Sequence, residues 1–140
     1  MQLNAYIHFE GNCEEALKFY EQTLGARIDG LIRYEGSPAA QSAPPGWGDK
    51  VLHARLRVGD DILMASDAPP GHYSKPQGFT LSVSLNDADK GEQVFKTMSD
   101  GGNVTMPYGP TFWAKGFGMC TDRFGVPWMV NVEQAEHSAA

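Results

Sequence analysis

The chain writes one pattern twice, and that repetition limits its fold more than any other feature. Residues 5–26 read as strand, tight corner and helix, and residues 81–101 read the same way. Laid on each other, Ile7 falls on Val83, Phe9 on Leu85, Phe19 on Phe95 and Gly25 on Gly101. A second block repeats further along each half. Gly59 falls on Gly125, Arg57 on Arg123, Ile62 on Trp128, Met64 on Val130 and Asp67 on Glu133. Element type, order and turn glycines agree, so each half reads βαβββ. One such unit cannot bury its sheet alone, so the two copies are expected to pack together. The expectation is an α+β chain of two tandem βαβββ modules in a single domain spanning 1–140. Module one covers 1–67, a linker 68–78 and module two 79–134.

The first unit shows how the pattern specifies structure. Ala5, Ile7 and Phe9 alternate with Tyr6, His8 and Glu10. A period of two means a strand with one apolar and one polar face. Asn12 is expected to cap the helix that follows, with Glu15 reaching back to it. Ala16, Leu17, Tyr20 and Leu24 recur at helical spacing, Phe19 widens the stripe, and Gly25 stops the helix. Residues 26–34 suggest a second strand. Residues 51–58 and 62–66 suggest two more, joined by Gly59-Asp60-Asp61. In the second half, Asp87 or Asp89 is the expected cap, with Val94, Phe95 and Met98 on the inner face.

Two stretches break the pattern. The mid-loop of the first half, 35–50 (EGSPAAQSAPPGWGDK), is too rich in Pro, Gly and Ser for regular structure. Its length suits a functional cover, and Trp47 gives it an apolar plug. Residues 68–78 carry three prolines and two glycines and read as the linker. The tail from Gln134 to Ala140 is small and polar and is expected to fray.

Charge narrows the partners. With 17 acidic against 11 basic residues the net charge is −6, which argues against a nucleic-acid surface. No apolar run approaches the ~20 residues of a membrane span, and residues 1–10 lack the pattern of a signal peptide. Cys13 and Cys120 lack paired spacing and read as free thiols of a reducing compartment, the cytoplasm.

Several longer runs resemble one family. They are F-x-G-N-C-E-E-A-L-x-F-Y at Phe9–Tyr20, H-A-x-L-x-V-G-D at His53–Asp60 and L-M-x-S-D at Leu63–Asp67. Y-G-x-x-x-W at Tyr108–Trp113 and F-G-x-x-x-D-x-F-G-V-x-W at Phe117–Trp128 continue the series. Together they resemble the PhnB-like family of the vicinal oxygen chelate superfamily, which includes glyoxalase, bleomycin-resistance and dioxygenase proteins. The resemblance implies a U-shaped mixed sheet with helices on its outer face, a cleft between the modules and a homodimer. It fixes no activity. Methyltransferase labels carried by such proteins find no support here, because no glycine-rich S-adenosylmethionine loop follows the first strand.

The resemblance also says where a metal would sit: between His and Glu ligands from the first and last strands of each module. His8, Asp67 and Glu133 stand at such places, but the family's Glu positions hold Leu63 and Met129. No metal ligand is assigned, and a divalent metal stays open as a cofactor. His53 and Arg55 share the face of one strand opposite Leu52, Ala54 and Leu56. His53 reads either as a donor or general base lining the cleft, or as a structural histidine. Tyr108, Phe112, Trp113 and Phe117 either line an apolar pocket or fill space between sheet and loop. His8, His53, Arg55, Tyr108, Trp113 and Glu133 are therefore the expected ligand-binding residues, and no catalytic residue is assigned. The expected function is binding of a small organic molecule in the cleft. The alternatives are a divalent-metal-dependent lyase, isomerase or dioxygenase acting on a small oxygenated substrate, and a dimeric scaffold without ligand.

Overall fold

Alternation and helical periodicity produce what the sequence asks for. A computed structural model describes residues 1–134, and the chain divides into two compact units, Met1–Ser74 and Lys75 onward. The expected frayed tail lies outside the described residues, Gln134 excepted. The first unit runs β1 (Ala5–Phe9), α1 (Cys13–Leu24), β2 (Arg27–Arg33), β3 (Val51–Val58) and β4 (Asp61–Asp67). Its four-stranded sheet has the order β1-β4-β3-β2, with β1 and β4 parallel and the other pairs antiparallel. The second unit runs β5 (Leu81–Leu85), α2 (Ala88–Ser99), β6 (Asn103–Gly109), β7 (Ala114–Thr121) and β8 (Pro127–Glu133). Its sheet repeats the plan as β5-β8-β7-β6. Among the described residues no helix is long and apolar enough to cross a membrane.

In the first unit Ile7, Phe9, Ala54, Leu56, Leu63 and Ala65 are buried on the sheet face that meets α1. The helix answers with Cys13, Ala16, Leu17 and Tyr20, all buried. Phe19 sits on the flank of this stripe and is half-buried. Gly25 takes a φ of 66° and its N–H donates to the Glu21 carbonyl, closing the helix as expected. The start of α1 differs from expectation, because Asn12 makes no side-chain cap bond. The cap comes instead from the end of β4: Asp67 Oδ1 accepts the backbone N–H groups of Gly11 and Cys13 at 3.0 and 2.9 Å. Its other oxygen accepts from Val51 N at 2.9 Å. Arg33 grips Glu14 with two bonds of 3.0 Å, tying the first turn of α1 to β2. That pairing holds the Glu14 carboxyl below the usual carboxylate range.

Regular structure does enter the mid-loop of 35–50, contrary to expectation. A 3-10 turn spans Pro38–Ser42, and Ser37 Oγ accepts the Ala39 N–H at 3.2 Å to open it. Pro38 suits this place, since its missing N–H would have had no partner there. The loop closes on its own unit. Tyr34 N donates to Lys50 O and Glu35 N to Gly48 O, and the Trp47 ring meets Tyr34 edge-on at 6.3 Å.

In the second unit Asp87 caps α2, its Oδ1 accepting from Asp89 N and Lys90 N. Val94, Phe95 and Met98 are buried on the inner face as expected, with Gly91 beside them. The helix can lie close because β7 offers it glycines. A Cβ on Gly118 would stand 2.7 Å from Phe95 Cε1, and one on Gly116 would strike Tyr108 Oη.

The register corrects one part of the repeat. Leu63 pairs with Ala5 and Leu56, while Trp128 pairs with Leu81 and Cys120. Leu63 is therefore the counterpart of Trp128, and Asp67 is the counterpart of Val132 rather than Glu133. The slip comes from the hairpins. Val58 pairs with Asp61 across Gly59-Asp60, whereas Thr121 pairs with Pro127 across the longer segment 122–126. A slip of one residue exchanges the faces of a strand. Asp67 thus points to the helix side and is buried, while Glu133 alternates with buried Val132 on the opposite face of its own sheet.

Candidate functional site

The face of the first sheet turned away from α1 is polar. β1 places Tyr6 and His8 on it, β4 places Met64 and Ser66, and β3 places His53 and Arg55. The register sets Tyr6 beside Met64 and Met64 beside Arg55, and His8 beside Ser66. Tyr6 Oη and His53 Nδ1 share a hydrogen bond of 3.2 Å. The Tyr6 ring also lies 5.0 Å from the His8 ring and 5.6 Å from the His53 ring. His8 and Arg55 are exposed, His53 is half-buried and Tyr6 is 38% exposed. Beside Arg55 the surface falls into a depression of about 580 Å³, lined by Asn4, Arg57, Asp60 and Asp61 among others. Arg57 is already paired with Asp29 at 2.9 Å. No carboxylate among the described residues pairs with Arg55.

This arrangement presents hydrogen-bond donors on an open surface. A guanidinium offers its fork of N–H groups to an oxyanion or carbonyl. With Nδ1 bonded to Tyr6, His53 keeps Nε2 for a ligand, and the shared bond fixes the imidazole plane. Met64 supplies apolar contact in the same row.

Among the expected residues, the structure gathers His8, His53 and Arg55 on this face. Tyr6, which the sequence did not single out, links the two histidines. Its signal was present in the polar alternation of β1, but nothing local connects it to a residue 47 positions away. Tyr108, Trp113 and Glu133 belong to the second unit. Tyr108 lies on the helix side, where its hydroxyl donates to the Ala88 carbonyl at 2.9 Å and its ring meets Phe95 at 5.7 Å. Burial, with Glu92 nearby, raises its phenol above the ordinary value. Trp113 stands in the loop before β7, 37% exposed, between Phe112 and Phe117 at 4.9 and 5.3 Å.

Within the first unit the carboxylate expected near a metal has another task. Among the described residues no three His, Cys, Asp or Glu side chains come together as a cluster. Asp67, one of the residues at a possible ligand position, is buried and its carboxylate is engaged by three backbone N–H groups. Burial disfavours the reactive thiolate form at both cysteines. Both are free and buried; burial is the main cause that lifts each thiol pKa, that of Cys120 to about 11 and that of Cys13 higher still.

The model of the Glyoxalase/Bleomycin resistance protein/Dioxygenase superfamily matches residues 2–130. Protein YjdN of Escherichia coli is 36% identical over 140 residues, covering 94% of this chain and 95% of its own length. Among solved structures, PA1353 from Pseudomonas aeruginosa is 45% identical with a TM-score of 0.86, over 96% of this chain and 98% of that one. A PhnB protein from Bacillus cereus is 25% identical with a TM-score of 0.80, over 94% of this chain and 99% of that one.

Proposed function

The chain belongs to the glyoxalase/bleomycin resistance protein/dioxygenase superfamily as a PhnB-like member, and from that premise we propose that it binds a small organic molecule bearing an anionic or carbonyl oxygen. The site is the polar face of the first sheet. The observation that carries the reading is the Tyr6–His53 hydrogen bond beside the unpaired Arg55. Two ordered rings and one free guanidinium on an exposed sheet face are binding groups without an internal task. Arg55 supplies charge and paired donors, His53 a directed ring nitrogen, and His8 and Met64 the flanking contact. No bond-breaking step is assigned to these residues. We further propose a homodimer in the cytoplasm, on the strength of the family resemblance and of two free thiols.

The test is thermal shift and calorimetry with carboxylates, α-keto acids and phosphonates. A true ligand raises the melting temperature by mass action. At least one class is expected to do so, and Arg55→Ala is expected to weaken its binding about tenfold, the loss of one charge-assisted contact. A panel without any stabilising class, or undiminished binding by Arg55→Ala, would overturn the assignment. Sedimentation equilibrium decides the homodimer, and a monomer at micromolar concentration would refute it.

A further inference from the structure

The second unit holds a cavity of about 380 Å³ that the reading above does not use. It forms where residues 75–80 run beside the ends of β7 and β8. Phe79, Met119, Pro127 and Trp128 give it apolar walls, and Thr105 and Thr121 are part of the lining. Lys75 is the sole charged residue of that lining. This is notable in a chain of net charge −6. Lys75 is exposed, and no carboxylate among the described residues pairs with it.

One wall is held in place before any ligand arrives. Trp128 Nε1 donates to Asp122 Oδ2 at 2.8 Å, while Asp122 Oδ1 accepts from Phe124 N and Val126 N. The Asp122 carboxylate is therefore engaged by three donors and does not enter the lining. Phe79, by contrast, is 49% exposed. An aromatic ring left half in water at the rim of an apolar hollow gains by being covered. The volume lies at the low end of small-ligand pockets, roughly 300–1,000 Å³, and suits a molecule of about one ring.

We propose that this cavity binds a small aromatic monoanion, its ring against Trp128 and Phe79 and its carboxylate toward Lys75 and the threonine hydroxyls. A polyanion is disfavoured, because a single cation would leave its further charges uncompensated. A cation is disfavoured by Lys75 itself. Every lining residue belongs to the second unit, and the proposal does not depend on the first-sheet face.

Benzoate is the probe. Titrated into the 15N-labelled full chain, it is expected to give saturable shifts at the amides of Phe79, Thr105 and Thr121 and at the Trp128 indole. The exposed Lys75→Gln variant should fold normally and bind benzoate about fivefold more weakly, the scale of one solvent-accessible ion pair. Neutral benzamide should bind the wild type more weakly than benzoate does, and should not distinguish the wild type from Lys75→Gln. Shifts that fail to saturate at millimolar benzoate, shifts confined to Tyr6 and His53, or equal affinity in Lys75→Gln would each overturn the proposal. Arg55→Ala should leave these shifts unchanged, so the failure of one site is distinguishable from that of the other.

Discussion

Asp67 Oδ1 accepts the backbone N–H of Cys13 at 2.9 Å, so the last residue of β4 caps the first turn of α1. The same carboxylate satisfies Gly11 and Val51. It therefore joins the entry to the helix, the start of β3 and the end of β4 at one buried point. Removing it leaves three donors without acceptors, two of them buried, and each buried one costs about 1–3 kcal/mol. Asp67→Ala is expected to lower stability by about 3 kcal/mol or more, read as a urea midpoint shift at unchanged slope. Asp67→Asn keeps one oxygen for the pair of donors at the helix start and should cost less. A loss below ~1 kcal/mol in Asp67→Ala would show that water replaces the carboxylate.

Gly118 is a packing residue rather than a turn residue. A methyl group there would come within 2.7 Å of Phe95 Cε1 and 2.9 Å of Cδ1. Both atoms belong to a buried ring against the sheet, so neither partner yields cheaply. Gly118→Ala is expected to cost about 1–3 kcal/mol by thermal melting. Trimming the ring in Phe95→Leu should make the second substitution cheaper, a coupling that a double-mutant cycle measures. Strict additivity would mean that α2 moves away from β7 instead.

Element order, helix stops and core stripes were legible because they rest on local periodicity. Gly25 after Leu24 and the alternation of Ile7 and Phe9 carry their meaning within a few residues. What depended on register was not legible. Gly59 and Gly125 looked equivalent, yet the hairpins they serve differ in length, and the slip made Glu133 look like the counterpart of Asp67 when that place belongs to Val132. Asp67 could not be recognised as a helix cap, since its partner lies 54 residues away. Asp122 could have been, because Asp122-Arg123-Phe124-Gly125-Val126 is a compact turn signal and its bonds to Phe124 and Val126 are local. His53 and Arg55 were readable as sharing a face. Their neighbour Tyr6 was not, since only strand order brings β1 within reach of β3.

The buried thiols make stability fall at alkaline pH. Both have folded pKa values above the ordinary thiol value of 9.0, chiefly through burial, with Cys120 reaching about 11. Below pH 9 thiols are protonated in both folded and unfolded chains and add no pH dependence. Above it the unfolded chain releases protons that the native chain retains, so stability falls at about 1.4 kcal/mol per pH unit for each thiol. For Cys120 the fall ends near pH 11; for Cys13 it continues higher. Cys120→Ser and Cys13→Ala should each flatten the slope measured between pH 9 and 10.5. An Ellman titration of the native protein at pH 8 should find both thiols slow to react, and two fast thiols would contradict their burial.

Phe19 and Phe95 look alike in the repeat but do different work. Phe95 is 5% exposed, packed on Gly118 and beside the Tyr108 ring. Phe19 is half-buried on the flank of α1, and the fully buried ring of that helix is its neighbour Tyr20. Cavity creation costs most where the surroundings cannot collapse. Phe95→Ala is accordingly expected to lose about 3–5 kcal/mol, the usual range for a buried phenylalanine. Phe19→Ala should lose less than half of that, because part of its ring is already in water. Urea titration of the two variants side by side measures the difference. Equal losses would mean that the flank of α1 is covered in solution, for which the proposed dimer supplies the cover and sedimentation of Phe19→Ala the check.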